Sequence, residues 1–249
     1  MTRFTLLGVP LDALTEAEAV DWVARAIEEG RPRLVISVNP ERIMHAGRDP
    51  AFAAVLRRAD LALADGAGVL WAARRLGHPL PGRVAGVDFV KALAERGASA
   101  GWRFFFLGGA PGVAEAAGRV LRDAYPGFIL AGAQPGSPEP EADASSTEAV
   151  RSSRAQVLLL AYGAAAEEAW LARNLERSGA IIGLGVGGAF DFISGRARRA
   201  PRWMREHGLE WLHRLSRQPW RWRRMLALPR FVVRVLAQRR RDGPVEGSP

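Results

Sequence analysis

The chain contains no cysteine. Disulfides, thiolate metal sites and a cysteine nucleophile are therefore excluded, and the composition agrees with a cytoplasmic setting. No stretch reaches the roughly 18 consecutive apolar residues that a membrane span needs. The nearest, residues 180–193, is glycine-rich and carries Asp191. The N-terminal run MTRFTLLGVPLDALTEAEA turns acidic too early to read as a secretory signal. Lysine is almost absent: Lys91 stands alone, so arginine is the ordinary surface cation. No Asp-x-Asp pair occurs, and His45, His78, His207 and His213 fall at no ligand spacing. The expectation is a protein that works without a bound metal or other cofactor.

What is present is length enough for a sizeable core, 249 residues, and a formal charge of +9 that is unevenly placed. Beyond residue 195 there are fifteen arginines and four acids, a net +11, which leaves −2 for the first 195 residues. The basicity belongs to an appendage, and such an asymmetry points to an anionic partner. Two parts are expected: a core over 1–195 and a basic, Trp- and Arg-rich helical appendage over 196–249.

Hydrophobic periodicity organises the core. Short apolar runs at residues 5–9, 34–38, 61–64, 102–107, 128–131, 156–161 and 180–186 read as strands. Helical patterns over 15–29, 40–46, 50–59, 68–76, 88–96, 112–124, 147–153 and 164–178 alternate with them. Thr15 with Glu18 has the form of a capping box. Residues 135–146, rich in Pro, Glu, Ser and Asp, read as a loop. Repeated strand–helix alternation predicts an α/β fold: an open, mostly parallel Rossmann-like sheet with helices on both faces. After Gly195, tryptophans fall among arginines, and Leu228, Phe231, Val232, Val235 and Leu236 keep helical spacing. That stripe either packs on the core or, with the arginines, meets an anionic membrane surface.

The chemistry collects at strand ends. In an alternating α/β pattern, groups at the carboxyl ends of strands face the ligand crevice. Asn39-Pro40 ends one strand and Asp65-Gly66 another, so Asn39 and Asp65 are expected in one crevice. Asp65 is placed either as a general base, taking the proton of an attacking hydroxyl, or as a cap for the following helix. The N-terminus of that helix offers N–H groups to a phosphate oxygen. Ser37 and Asn39 suit sugar hydroxyls, although Asn39 also suits a helix cap. Arg83, on a loop opened by Pro79 and Pro81, has the fork of donors that holds a diphosphate, or is a surface arginine. The run Gly183-x-Gly185-x-Gly187-Gly188 lacks the spacing and the later acid of a dinucleotide fingerprint, so a nicotinamide site is rejected.

These residues also resemble a family, the WecG/TagA/CpsF bacterial glycosyltransferases. The likeness is carried by Ser37-x-Asn39-Pro40, Ala59-Asp60, Asp65-Gly66-x-Gly68, Arg83-x-x-Gly86-x-Asp88 and the long stretch from Gly185 to Arg224. It covers roughly residues 6–231. It implies Asp65 as the base of an inverting, metal-independent transferase. A sugar would pass from a UDP-sugar, such as an N-acetylmannosamine or uronic-acid nucleotide, to a polyprenyl-diphosphate-linked sugar for a surface polysaccharide. It implies substrate contacts from Ser37, Asn39, Gly66, Arg83 and Asp88, with Gly187 and Asp191 in a nucleotide-sugar segment. The appendage would close over the site, with Arg214, Arg221 and Arg224 neutralising the leaving diphosphate while its tail docks on the inner face of the membrane. A homo-oligomer is compatible with all of this. One departure stands out: where the family carries Gly-x-Pro-Lys-Gln-Glu, this chain has Gly163-Ala164-Ala165-Ala166-Glu167-Glu168. Glu167 and Glu168 join the substrate set, and the extra carboxylate requires an arginine to offset it. Two rival readings remain open: a catalytically inactive member acting as an assembly partner, and a basic-tailed nucleic-acid-binding protein. The slightly acidic core and amphipathic tail tryptophans argue against nucleic acid.

Overall fold

The structure is a computed structural model that describes residues 1–201, 203–204, 210–217 and 227–242. Among them, six strands form one all-parallel sheet: β3 (Arg33–Val38), β4 (Leu61–Ala64), β5 (Arg103–Gly108), β6 (Ile129–Gln134), β7 (Val157–Ala161) and β8 (Ile182–Gly185), in the order β4-β3-β8-β7-β5-β6. Strands buried on both faces read as unbroken apolar runs. That is the texture of VLLLA in β7 and RFFFLG in β5.

Because side chains alternate across a strand, each strand serves two cores. Leu34, Ile36 and Val38, Phe105 and Leu107, and Leu158 and Leu160 face one side. Val35, Phe104 and Phe106, and Val157 and Leu159 face the other. The first core is covered by α2 (Pro40–Ala46), α3 (Pro50–Arg57), α4 (Ala67–Arg75), α8 (Ala166–Ser178) and the helix Ala227–Asp242, which buries Phe231 and Val235. The second is covered by α1 (Glu16–Glu29), α5 (Gly86–Ala100), α6 (Val113–Ala124) and α9 (Ala189–Ile193). The capping box of α1 is formed: the Glu18 amide donates to Thr15 Oγ1, and the Thr15 amide donates to the Glu18 carboxylate.

Two of the differences from the sequence expectation involve contacts between distant elements. Residues 5–9 are not one strand. β1 (Thr2–Leu6) and β2 (Val9–Ala13) form an antiparallel hairpin, turning at Leu7 and Gly8, both at positive φ as a two-residue turn of this hand needs. Buried Asp12 accepts from Nε and Nη2 of Arg3 across the hairpin, and from the Ala62 amide of β4, which ties the hairpin to the sheet. Second, α7 (Asp143–Ser153) begins inside the expected loop. Asp143 is buried there against Arg173 of α8 at 2.9 Å, a contact distant in sequence that local composition does not announce.

The topology sets the site. From β3 the chain moves outward to β4 on one face, while β8 arrives beside β3 and leaves through α9 on the other. Connections diverging from adjacent strands open a crevice at their carboxyl ends. Among the described residues no helix is long and apolar enough to cross a membrane.

Candidate active site

The crevice is a cleft of about 520 Å³ at the ends of β3, β4 and β8. Asp65 lines it. The Asp65 amide donates to the Val38 carbonyl at 2.8 Å, continuing the β3–β4 ladder one residue past the strand, which fixes where its side chain emerges. Gly66 follows at φ +95°, a conformation that favours glycine, and opens α4 directly beneath the cleft. Gly68 is equally constrained: a Cβ there would stand 2.9 Å from Pro40 Cγ. Asn39 both caps and lines. Its carboxamide oxygen accepts from the Arg42 amide at 2.9 Å, and the residue borders the cleft beside Ser37.

The opposite rim is ionic. The Val84 amide donates to the Ala64 carbonyl, so the loop after Pro81 is hung from the end of β4 and presents Arg83 to the cleft. Arg83 Nη1 lies 3.5 Å from the Glu210 carboxylate. Arg199 reaches the other oxygen of Glu210 at 3.6 Å and grips Asp88 with both terminal nitrogens. Asp88 sits in the first turn of α5, where a negative charge is favoured. It holds Arg199 and does not itself border the cleft.

The third wall is apolar. Trp211 and Leu215 come from the helix Glu210–Arg217, and Leu228, Phe231 and Val232 from the helix Ala227–Asp242. One cavity thus joins a polar, charged end to a hydrocarbon-like side.

Below the floor lies a buried charge cluster. Arg42, only 5% exposed, borders the cleft from below and places Nη2 2.8 Å from Glu167 and 3.0 Å from Glu168, both fully buried. Its Nη1 donates to the Ser37 carbonyl at 2.5 Å. Glu167 Oε1 accepts from the amides of Gly163 at 2.9 Å and Gly187 at 2.8 Å. Burial pushes the Glu167 carboxyl up to about 7; Arg42 opposes the rise, Glu168 adds to it, and the two amides oppose it. The arginine that the extra carboxylate required is therefore Arg42. Ala165, at φ +71°, adopts a conformation closed to proline.

Of the expected site residues, Ser37, Asn39, Asp65, Gly66, Arg83 and Gly187 are brought together at the cleft. Glu167 and Glu168 lie beneath it, because the first turn of α8 points them into the core. Asp191 lies off it, on α9, 3.8 Å from Arg196. Arg214 is on the helix Glu210–Arg217 with its side chain outside the described residues, and Arg221 and Arg224 lie outside them altogether. The sequence reading passed over Arg42, Arg199 and Glu210. A clue existed for Arg42: in a short helix opened by Asn39-Pro40 it precedes Ile43 and Met44, which are buried with it.

The model of the Glycosyl transferase WecG/TagA/CpsF family matches residues 4–244, and the chain belongs to that family. A Bacillus spizizenii protein named N-acetylglucosaminyldiphosphoundecaprenol N-acetyl-beta-D-mannosaminyltransferase is 33% identical over 215 residues, covering 86% of this chain and 82% of its own. A Bacillus subtilis protein of the same name is 28% identical over 239 residues, covering 96% and 93%.

Proposed function

We propose that this chain is an inverting glycosyltransferase that moves a sugar from a UDP-sugar to a polyprenyl-diphosphate-linked sugar at the inner face of the membrane. The observation that carries the reading is the two-sided cleft. A lipid-linked diphosphate sugar has a charged, hydroxyl-rich head and a hydrocarbon tail. The cleft offers Asp65, Asn39, Arg83 and Arg199 at one side and Trp211, Leu215, Leu228 and Val232 at the other. The names of the two relatives support an N-acetylmannosaminyl donor and an N-acetylglucosaminyl-diphosphoundecaprenol acceptor.

In this reading the acceptor hydroxyl oxygen attacks the anomeric carbon from the face opposite the nucleotide. The bond from that carbon to the UDP oxygen breaks, and its electron pair leaves with UDP. Asp65 takes the hydroxyl proton, and the anomeric configuration inverts. Positive charge for the departing diphosphate comes from Arg83, Arg199 and the appendage arginines 214, 221 and 224, and from the amides at the start of α4, without a metal ion. The core over 1–195 holds the donor, and the appendage over 196–249 meets the bilayer and brings the acceptor. A homo-oligomer is compatible with this arrangement.

The test is transfer of labelled sugar from UDP-N-acetylmannosamine to a short-chain diphosphate-linked N-acetylglucosamine, with EDTA present. Wild type is expected to turn over with inversion. Asp65→Asn is expected to lose about 10²–10⁴-fold in kcat, with UDP affinity changed less than about threefold. Absence of turnover with any UDP-sugar would leave the assembly-partner reading in its place.

A further inference from the structure

The cleft-lining segments that follow β3, β7 and β8 come from distant parts of the chain, and one buried pair touches all three. Arg42 Nη1 holds the carbonyl of Ser37, at the end of β3. Arg42 Nη2 holds Glu167 Oε2 at 2.8 Å. Glu167 Oε1 in turn receives the amides of Gly163, just past β7, and Gly187, just past β8. Ser37, Arg42, Gly163 and Gly187 all border the cleft, whereas Glu167 does not. We propose that Glu167 is the positioning residue of the donor side of the cleft: paired with Arg42, it sets the spacing of three strand-end segments without itself touching substrate.

The local packing is built around this pair. A Cβ on Gly185 would stand 2.6 Å from Glu167 Oε2 and 3.0 Å from its Cβ, so β8 approaches the carboxylate as closely as a bare backbone allows. Glu168 closes the cluster: Oε1 lies 3.0 Å from Arg42 Nη2, and Oε2 accepts from the Ala165 amide at 2.9 Å, fixing the turn that leads into α8. Gly163 and Gly187, at φ +91° and +55°, have no side chains to anchor them. Their amides are held by Glu167, whose carboxylate is fully buried and needs such donors. A residue whose work is to hold two such amides acts on where the donor is bound, and leaves the proton transfer at Asp65 alone.

This inference rests on the proposed transfer for its kinetic readout but not for its structural one. The structural readout is amide hydrogen exchange at Gly163 and Gly187. Glu167→Ala removes the acceptor, and both amides are expected to exchange at least about a hundredfold faster. Donor KM and UDP Kd are expected to rise at least about tenfold, with kcat changed less than about threefold. Glu167→Gln keeps an amide oxygen in the place of Oε1. It is expected to retain the protection of both glycines and to bring donor KM back within about threefold of wild type. Unchanged exchange at Gly163 and Gly187 in Glu167→Ala would overturn the proposal. So would loss of that protection in Glu167→Gln, which decides the matter if the alanine variant does not fold. If wild type shows no turnover, the functional reading falls, and the exchange rates alone decide this one.

Discussion

Arg83 Nη1 lies 3.5 Å from one oxygen of Glu210, and Arg199 Nε lies 3.6 Å from the other. A carboxylate thus sits between two guanidinium groups at the rim of a cleft read as a diphosphate site. An incoming diphosphate must compete with it. The pair is partly exposed, and such contacts are worth about 1 kcal/mol or less, so the competition is modest. Glu210→Gln is expected to tighten UDP binding by about three- to fivefold. The gain should shrink as salt is raised from about 50 to 500 mM. Calorimetric titration with UDP checks it. Weaker binding in the variant would mean that Glu210 holds Arg83 and Arg199 in place for the ligand.

A second expectation concerns pH. Burial raises the Glu167 carboxyl from the usual 4.5 to about 7. Between those values the folded protein binds this proton while the unfolded chain has released it, so stability falls as pH rises through the window. The contribution is fully present below about pH 4.5 and is lost above about 7. Its ceiling is on the order of 3 kcal/mol. Asp143 and Asp49, both held below the usual range, give slopes of the opposite sign at lower pH. Urea denaturation of wild type and Glu167→Gln across pH 5 to 8 removes that background. Wild type is expected to lose stability relative to the variant as pH rises.

The turn into α8 supplies a third. Ala165 has φ +71° and ψ −45°, close to a strained three-residue turn that alanine rarely adopts. Ala165→Gly is expected to stabilise the fold by about 0.5–1 kcal/mol. Ala165→Pro forces φ near −65° and removes the amide that donates to Glu168, so a loss of about 2 kcal/mol or more is expected. Thermal denaturation of the two variants gives the sign of each.

The fold was largely open to reading because parallel strands announce themselves. The bounds expected for residues 61–64 and 40–46 match β4 and α2, where an apolar run ends in Asp-Gly or begins with Asn-Pro. Asn39, Asp65 and Arg83 were found at one cleft because strand ends converge in this architecture. What escaped the sequence depends on contacts between distant residues. Leu7-Gly8 is not a common hairpin dipeptide, so the turn there went unread. Helix α5 was expected to stop at 96, yet it runs to Ala100 through Gly97, whose missing Cβ makes room for the Phe104 ring. Arg42 was passed over. Only the fold brings two glutamates from 125 or more residues away to its guanidinium. Glu167 and Glu168 were expected among the substrate contacts, but helix phase turns them under the floor.

The last expectation concerns the bilayer. The helix Ala227–Asp242 buries Phe231 and Val235 against α2 and α4, yet leaves Val233 66% exposed, with Arg230 and Arg234 also on the surface. Leu212 of the helix Glu210–Arg217 is 44% exposed, and Trp203 is 58% exposed. Apolar tips among arginines suit the interface of an anionic membrane. Neither Val233 nor Leu212 borders the cleft. Burying each apolar side chain is worth about 1.5 kcal/mol or more, so Leu212→Asp with Val233→Asp is expected to weaken binding to vesicles rich in anionic phospholipid by at least about tenfold. Turnover of a soluble short-chain acceptor should stay within about twofold of wild type, because the cleft walls are untouched. Co-sedimentation with vesicles and the soluble assay, run side by side, separate docking from chemistry. Undiminished vesicle binding by the double variant would remove these two helices from the membrane-facing surface and return their exposed apolar residues to some other contact.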